Sequence, residues 1–139
     1  MSRLDSLVLT ECTAFREPPL AKERRTLRAR ADIDELTARR NADILVVVVE
    51  FTFELVDGDS SASCCDISAT FQLRYLLGPD FIDERDFAVN RAVVDAWPYW
   101  RTLMAQTMAN MGYAPYRLPP SVPPALVRTA HEVFDLGPA

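Results

Sequence analysis

The stretch AWPYWRTLMAQTMANMGYAPYRLPP, residues 96–120, decides the fold and holds both tryptophans of the chain. Its apolar residues recur every three or four positions, which predicts an amphipathic helix with one apolar face. That face consists of Trp97, Trp100, Leu103, Met104, Thr107, Met108 and Met111. Gly112 is expected to end the helix, because glycine takes the left-handed conformation at a helix C-terminus without steric cost. The prolines that follow cannot continue a helix and predict an extended, aromatic loop.

Four segments before this stretch show the period-two alternation of β-strands, namely residues 7–15, 27–34, 44–56 and 63–77. The third is the clearest, because every odd position from Leu45 to Leu55 is apolar. The turn signals are Pro18-Pro19, the polar residues 39–41 and Asp57-Gly58 in VDGDSS. Short turns between successive strands predict a four-stranded antiparallel meander.

Helices are predicted at residues 83–95, in the central stretch from about Pro98, and at residues 124–134. We place Pro98 in the first turn of the second of these helices, where its missing N–H costs nothing. A block of strands followed by a block of helices indicates an α+β fold with the helices on one side of the sheet. The length fits a single domain, 1–139, with a core over about 7–122.

Composition excludes several classes of protein. A net charge of −5 argues against a general nucleic-acid binder, although residues 22–40 are locally basic. The longest apolar run, residues 44–49, is too short to span a bilayer, and the first residues do not resemble a signal peptide. Three cysteines, two of them adjacent, do not form a disulfide framework. We therefore expect a cytoplasmic protein without membrane or nucleic-acid partners.

The sequence offers little for catalysis. Its four glycines are too scattered for a phosphate-binding loop. The one histidine, His131, is better explained as a surface residue than as a partner of a cysteine nucleophile. The cysteines lack zinc-ligand spacing. Glu50 and Glu54 could form an acid–base pair, but a solvent-facing strand is the stronger interpretation. We expect no catalytic residue, no cofactor, no metal and no enzymatic activity.

Two motifs in the central stretch resemble the SecB family of export chaperones. WPYWR at residues 97–101 is similar to that family's aromatic-Pro-Tyr-x-Arg helix opening, and GYAPYRLPP at residues 112–120 is similar to its loop. The residues that carry the motifs are Pro98, Tyr99, Arg101, Gly112, Pro115 and Pro120. The resemblance extends over residues 10–122. It implies a four-stranded antiparallel sheet with helices on one side, assembled as a homotetramer that is a dimer of dimers.

The resemblance also implies an ATP-independent holdase for protein export, which binds unfolded or precursor polypeptides in apolar grooves. The residues expected to contact such clients are Phe15, Trp97, Met104, Met108, Tyr113, Tyr116 and Leu118. Those expected in the core or between subunits are Trp100, Leu103 and Met111. A methionine and aromatic stripe is more often simple core, but flexible methionines and loop aromatics also suit adaptable binding.

Two departures bear on the partners. Arg16 stands where the exporting members have an acidic residue, and the tail DLGPA lacks a Cys/His motif, which argues against docking of a SecA-type motor. The alternative within the class is a chaperone for the antitoxin of a toxin–antitoxin system. A hotdog-type thioesterase and a structural oligomer without clients are the alternatives from other classes.

Overall fold

A computed structural model describes residues 1–16, 27–58, 63–113 and 116–137 of the chain. Its strands are β1 (Arg3–Arg16), β2 (Leu27–Asn41), β3 (Ile44–Asp57), β4 (Ser63–Leu76) and β5 (Phe134–Leu136). Its helices are α1 (Glu84–Phe87), α2 (Val93–Asn110) and α3 (Pro124–Val133), and a π-helical turn, Ala88–Ala92, joins α1 to α2. The predicted α+β class is confirmed. Pro18, Pro19, Pro115 and most of the predicted turn after Gly58 lie outside the described residues.

The sheet has five strands in the order β1-β4-β3-β2-β5, so the prediction of a four-stranded meander is wrong in two respects. First, β1 pairs antiparallel with β4 and not with β2. Only β2, β3 and β4 are joined as a meander, and β1 occupies the free edge of β4. Second, residues 134–136, predicted partly as helix, form β5 and pair in parallel with Leu36–Ala38 of β2. Phe134 pairs with the backbone of β2 and does not extend α3 by one more residue.

Alternation on β3 decides which face of the sheet is the core. The odd residues from Leu45 to Leu55 are buried, and the even residues from Ile44 to Glu54 are half-buried. On β2 the inward pattern changes parity at a bulge between Ile33 and Glu35, so that Leu36 and Ala38 also face the core. The second strand was predicted over residues 27–34, but β2 continues past the bulge to Asn41. The turn follows at Ala42, which has a φ of 56°.

The helices pack on the inward face around Phe51. Its ring lies 5.6 Å from that of Trp100 and nearly parallel to it, at 9°. Trp97 and Phe71 contact the same ring edge-on, at 5.9 and 6.1 Å. Aromatic pairs in these geometries contribute about 0.5–1.5 kcal/mol beyond the area that they bury. The apolar stripe predicted on the central helix is thus the core of the domain.

Pro98 does not begin a separate helix, as we expected, but lies inside α2. A proline inside a helix leaves the carbonyl group four residues earlier without its donor. That residue is Val94, and both Val94 and Pro98 are exposed, so water can supply the missing bond on the solvent side. The helix therefore continues through the proline. Within the described residues, no helix is long and apolar enough to cross a membrane.

Candidate functional site

The loop after α2 is held by two side chains of that helix. The indole N–H of Trp97 donates to the carbonyl oxygen of Pro119 at 2.8 Å. The Nε of Arg101 donates to the carbonyl oxygen of Leu118 at 3.0 Å. Leu118 is itself buried between these two anchors. Because both bonds end on backbone carbonyl groups, they fix the path of the loop regardless of its side chains.

A shallow groove of about 340 Å³ runs between α2 and this loop. It is lined by Arg101, Thr102, Ala105, Gln106, Tyr116, Arg117 and Leu118. Tyr116 leaves 43% of its surface exposed, while its ring packs on Phe53 at 5.2 Å. One face of the ring is thus fixed by the core and the remainder is presented to solvent. The lining is mainly apolar, and Arg101 and Arg117 add two positive charges to it.

The end of α2 is closed by a Schellman motif, as the glycine predicted. Gly112 has a φ of 84°, in the left-handed region. Its N–H donates to the carbonyl oxygen of Ala109, and that of Tyr113 donates to Met108, both at 3.0 Å. This pairing satisfies carbonyl groups that a helix end otherwise leaves open. It also sets the direction in which the chain leaves the helix.

Arg16 supplies a second cap that the sequence analysis missed. Its guanidinium donates to the carbonyl oxygen of Met111 and lies 4.6 Å from the centre of the Tyr113 ring. A cation at a helix C-terminus is favoured by the helix dipole, and the ring face adds a cation–π contact. The residue that departs from the family pattern therefore has a structural role here. The positive charge of Arg16 is visible in the sequence, but its partner Met111 lies 95 residues away, so the sequence does not show which group it caps.

Tyr113 differs from the exposed loop ring that we expected. It is half-buried, and its hydroxyl donates to the carbonyl oxygen of Cys64 at 3.2 Å. Burial, together with the nearby Cys65 thiol, raises the pKa of the Tyr113 hydroxyl. The Tyr113 side chain connects the end of α2 to β4. Its main role is therefore to hold the start of the loop in place, and little of it is left for contact with a client.

The other predicted contact residues fall in different places. Trp97, Met104 and Met108 are buried within the chain, because the face expected to be divided between core and clients packs on the sheet. Phe15 is 57% exposed, but its register with Asp66 places it on the sheet face away from the helices. Of the predicted contact residues that the structure describes, Tyr116 and Leu118 line the groove, and the motif residue Arg101 lines it with them.

The residues assigned to the core and to the family motifs are also located. Trp100 is fully buried, and its indole N–H has no acceptor among the described residues. Leu103 and Met111 are half-buried, whereas Pro98, Tyr99 and Pro120 are exposed. Of the motif residues, Arg101 thus holds the loop through the Leu118 carbonyl group, and Gly112 ends α2.

The described residues also bear on other chemistry. Within residues 1–16, 27–58, 63–113 and 116–137, no three His, Cys, Asp or Glu side chains are grouped so as to hold a metal ion. His131 is exposed on α3, Cys12 is exposed, and Cys64 and Cys65 are buried. Burial raises the pKa of the Cys65 thiol, which disfavours the nucleophilic thiolate.

Comparison with known proteins gives a fold relationship. No protein-family model and no curated protein sequence matches the chain. Among solved structures, a SecB-like chaperone of Mycobacterium tuberculosis, Rv1957, in complex with a ChAD peptide from the HigA1 antitoxin, superposes with a TM-score of 0.66. The alignment covers 88% of this chain and 92% of that one at 13% identity. A Streptococcus agalactiae protein of unknown function aligns with a TM-score of 0.47, 10% identity and coverage of 86% and 97%. The first match shows that this chain has a SecB-like fold.

Proposed function

We propose that this protein is an ATP-independent holdase chaperone that binds non-native polypeptides at the groove beside α2. The observation that carries the proposal is the exposed part of Tyr116, which lines the groove together with Leu118 on a loop fixed by Trp97 and Arg101. The SecB-like fold supports it, because a chaperone of that fold has been solved with a bound peptide.

Binding at such a groove needs no nucleotide. An unfolded segment buries its own apolar side chains against the groove, and full burial of one stabilises the complex by about 1.5–3 kcal/mol. Because the loop is anchored before a client arrives, little ordering entropy is lost on binding. A protein that binds the unfolded state in preference to the folded state holds its client unfolded by mass action.

The functional unit that we propose is a homotetramer, a dimer of dimers. Leu9, Cys12 and Ala14 pair with buried residues of β4 on the helix-facing side of the sheet, yet all three are exposed. The helix layer of one chain thus leaves this part of β1 uncovered, and among the described residues β1 is an edge strand with no partner on its outer side. A second chain would cover both. Four chains of 15.6 kDa give about 62 kDa.

Two client classes follow, and the main one is precursor polypeptides held for export. An antitoxin segment is the second candidate, favoured by the antitoxin peptide bound to the SecB-like chaperone of similar fold. Arg16, which caps α2 here, replaces the acidic residue expected for motor docking, so export would proceed without a SecA-type motor bound at that position. Competition between a labelled unfolded precursor and an antitoxin peptide for the same protein ranks the two classes.

The test is a pair of tyrosine variants. Tyr116→Ser removes the exposed ring of the groove, and Tyr99→Ser removes an exposed ring of α2 that does not line it. Affinity for a labelled unfolded protein should fall by about 1–3 kcal/mol in the first, which is roughly 5–150-fold. The second should bind like the wild type. Thermal melting and light scattering accompany both, because binding is compared only between variants with the same mass and stability.

Suppression of aggregation separates the proposal from its rivals. A holdase suppresses aggregation of an unrelated denatured protein at stoichiometric amounts without nucleotide, whereas a thioesterase or a structural oligomer does not. Full client binding by a stable Tyr116→Ser variant would refute the groove as the binding site. A stable assembly with no effect on aggregation would refute the chaperone function itself.

A further inference from the structure

The sheet face that points away from the helices, here called the outer face, carries its charges in separate rows. Residues that pair across neighbouring strands form a row at right angles to the strands. Arg39 on β2, Val46 on β3 and Arg74 on β4 form one such row. Among the described residues, the one ion pair of Arg74 is a long one, 3.7 Å, with Asp5, and both arginines are exposed. We call this the basic row.

A second row, four residues along each strand, is acidic. It runs from Glu35 on β2 through Glu50 on β3 and Thr70 on β4 to Glu11 on β1. At about 3.3 Å per residue, this acidic row lies about 13 Å from the basic row. Apart from the long Asp5–Arg74 pair, the charges of these two rows are therefore separated on the same face.

The row between them is uncharged. Thr37, Val48, Gln72 and Val8 pair across β2, β3, β4 and β1. Val8 is 51% exposed, and Val48 is half-buried. Apolar and polar side chains thus alternate along this row, in the order Val8, Gln72, Val48 and Thr37, at the middle of the outer face.

The acidic row conflicts with the local rules of sheet stability. Glu50 stands directly opposite Glu35, and like charges in that position destabilise a sheet. Burial raises the pKa of the Glu50 carboxyl, and so do the charges of Asp34, Glu35 and Glu11. Four residues along β3, by contrast, Glu54 has an opposite charge beside it, because Arg30 donates to its carboxylate at 2.8 Å. Violations of this kind are expected where a surface is kept for binding.

We propose that the outer face binds the outer face of a second copy of this chain, with the two sheets related by a two-fold axis along the uncharged row. Rotation about that axis reverses the strand direction and places each strand over its own copy. The basic row then lies over the acidic row of the partner, and the same contact is made twice. Aligned sheets pack about 10 Å apart, within reach of arginine and glutamate from opposite sides.

The pairing matches individual residues. Arg39 of one chain stands over Glu35 of its copy on the same strand. Arg74 stands over Thr70 of the copy, between Glu11 and Glu50 on the flanking strands. Val48 meets its own counterpart at the axis. Each contact is isologous, so one surface is complementary to itself.

The strength of the association follows from the area. Four strands at about 4.8 Å each give a width of about 19 Å, and the four intervals of about 6.6 Å between five rows give a length of about 26 Å, so the patch covers about 500 Å² on each partner. About 1,000 Å² in total is at the low end for specific interfaces and is typical of transient ones. We expect weak self-association that is strongest at low ionic strength, where charges are least screened. The contact does not depend on the chaperone function proposed above.

The experiment uses charge reversal on the full-length chain. Sedimentation equilibrium of the wild type in 50 mM NaCl should show a mass at least twice that in 1 M NaCl, the latter defining the basic unit. Arg39→Glu and Glu35→Arg should each abolish the increase, because each places like charges over one another. An equimolar mixture of the two variants should restore it, because reversed rows complement each other. The exposed residues Arg128 and Glu132 of α3 provide matched controls, and Arg128→Glu and Glu132→Arg should behave like the wild type.

Three results would overturn the proposal. One is a wild-type mass that is the same at both salt concentrations. Another is a mixture of the reversed variants that stays at the mass of the basic unit. The third is loss of association in the α3 controls as well, which would assign the effect to net charge. If the outer face binds a basic protein and not a second copy, the mixture of the reversed variants will stay at the mass of the basic unit.

Discussion

The two tryptophans of α2 allow the loop anchor to be measured. Trp97 and Trp100 are both fully buried against Phe51, but only Trp97 makes a hydrogen bond, to Pro119 at 2.8 Å. Replacement by phenylalanine removes a similar volume at each site. Trp97→Phe also removes the bond and leaves a carbonyl group of the loop unpaired, whereas Trp100→Phe removes a buried donor that has no described acceptor.

The expected difference follows from that asymmetry. Loss of one partner of a part-buried hydrogen bond costs about 1–3 kcal/mol, mainly for desolvation of the group left behind. The cavity costs of the two changes are of comparable size, and a phenylalanine at position 100 can keep the stacked contact with Phe51. Trp97→Phe should therefore have a free energy of unfolding about 1–3 kcal/mol lower than Trp100→Phe.

Urea unfolding of both variants, followed by circular dichroism, gives the two free energies by linear extrapolation. Client binding provides a second measurement, since a loosened loop should weaken the affinity of Trp97→Phe alone. Equal unfolding free energies, or a less stable Trp100→Phe, would show that the indole bond does not hold the loop.

Two further predictions concern the ends and the outer face of the sheet. Arg16→Met keeps an apolar stem but removes the hydrogen bond to the Met111 carbonyl group. It should lower the free energy of unfolding by about 1–2 kcal/mol. Urea unfolding that matches the wild type would show that this bond does not stabilise the end of α2. Glu50→Gln should raise the free energy of unfolding at pH 7 by about 0.2–1 kcal/mol, because it removes the repulsion from Glu35. The folded state raises the pKa of Glu50 above its ordinary 4.5, so it binds more protons than the unfolded state in that range, and the wild type loses stability as the pH rises through it. The advantage of Glu50→Gln should therefore shrink as the pH is lowered towards 4.5, and an advantage independent of pH, in unfolding curves at pH 4.5–7, would contradict the repulsion.

The sequence predicts local elements well here because their signals are local. Alternation from Leu45 to Leu55 identifies β3 and its buried face, and Gly112 identifies the end of α2. Strand order is a different matter, since nothing in the alternation of β1 distinguishes β4 from β2 as its partner. Pro98 was misplaced because its tolerance depends on which side of α2 faces solvent, a property of the packed structure.

The candidate site was predicted only in part, for a similar reason. Helical spacing shows that Trp97, Met104 and Met108 share a face, but it does not show whether that face meets a sheet or a client. The structure buries these three side chains against the sheet within one chain. Arg16 was read as a departure from a family pattern, and its contact with Met111 depends on a fold that brings β1 to the end of α2.

Trp97 and Arg101 hold the loop only through the main-chain oxygens of Pro119 and Leu118. Main-chain oxygens are present whatever residue occupies a position, so the exposed positions of the loop are free to change without loss of their support. If the proposed chaperone function holds, substitution at Tyr116 or Arg117 would alter which polypeptides bind while the two anchoring bonds stay the same. The anchoring side chains lie on the helix and the exposed contact surface lies on the loop, so under the proposed function client preference could change without any change in α2.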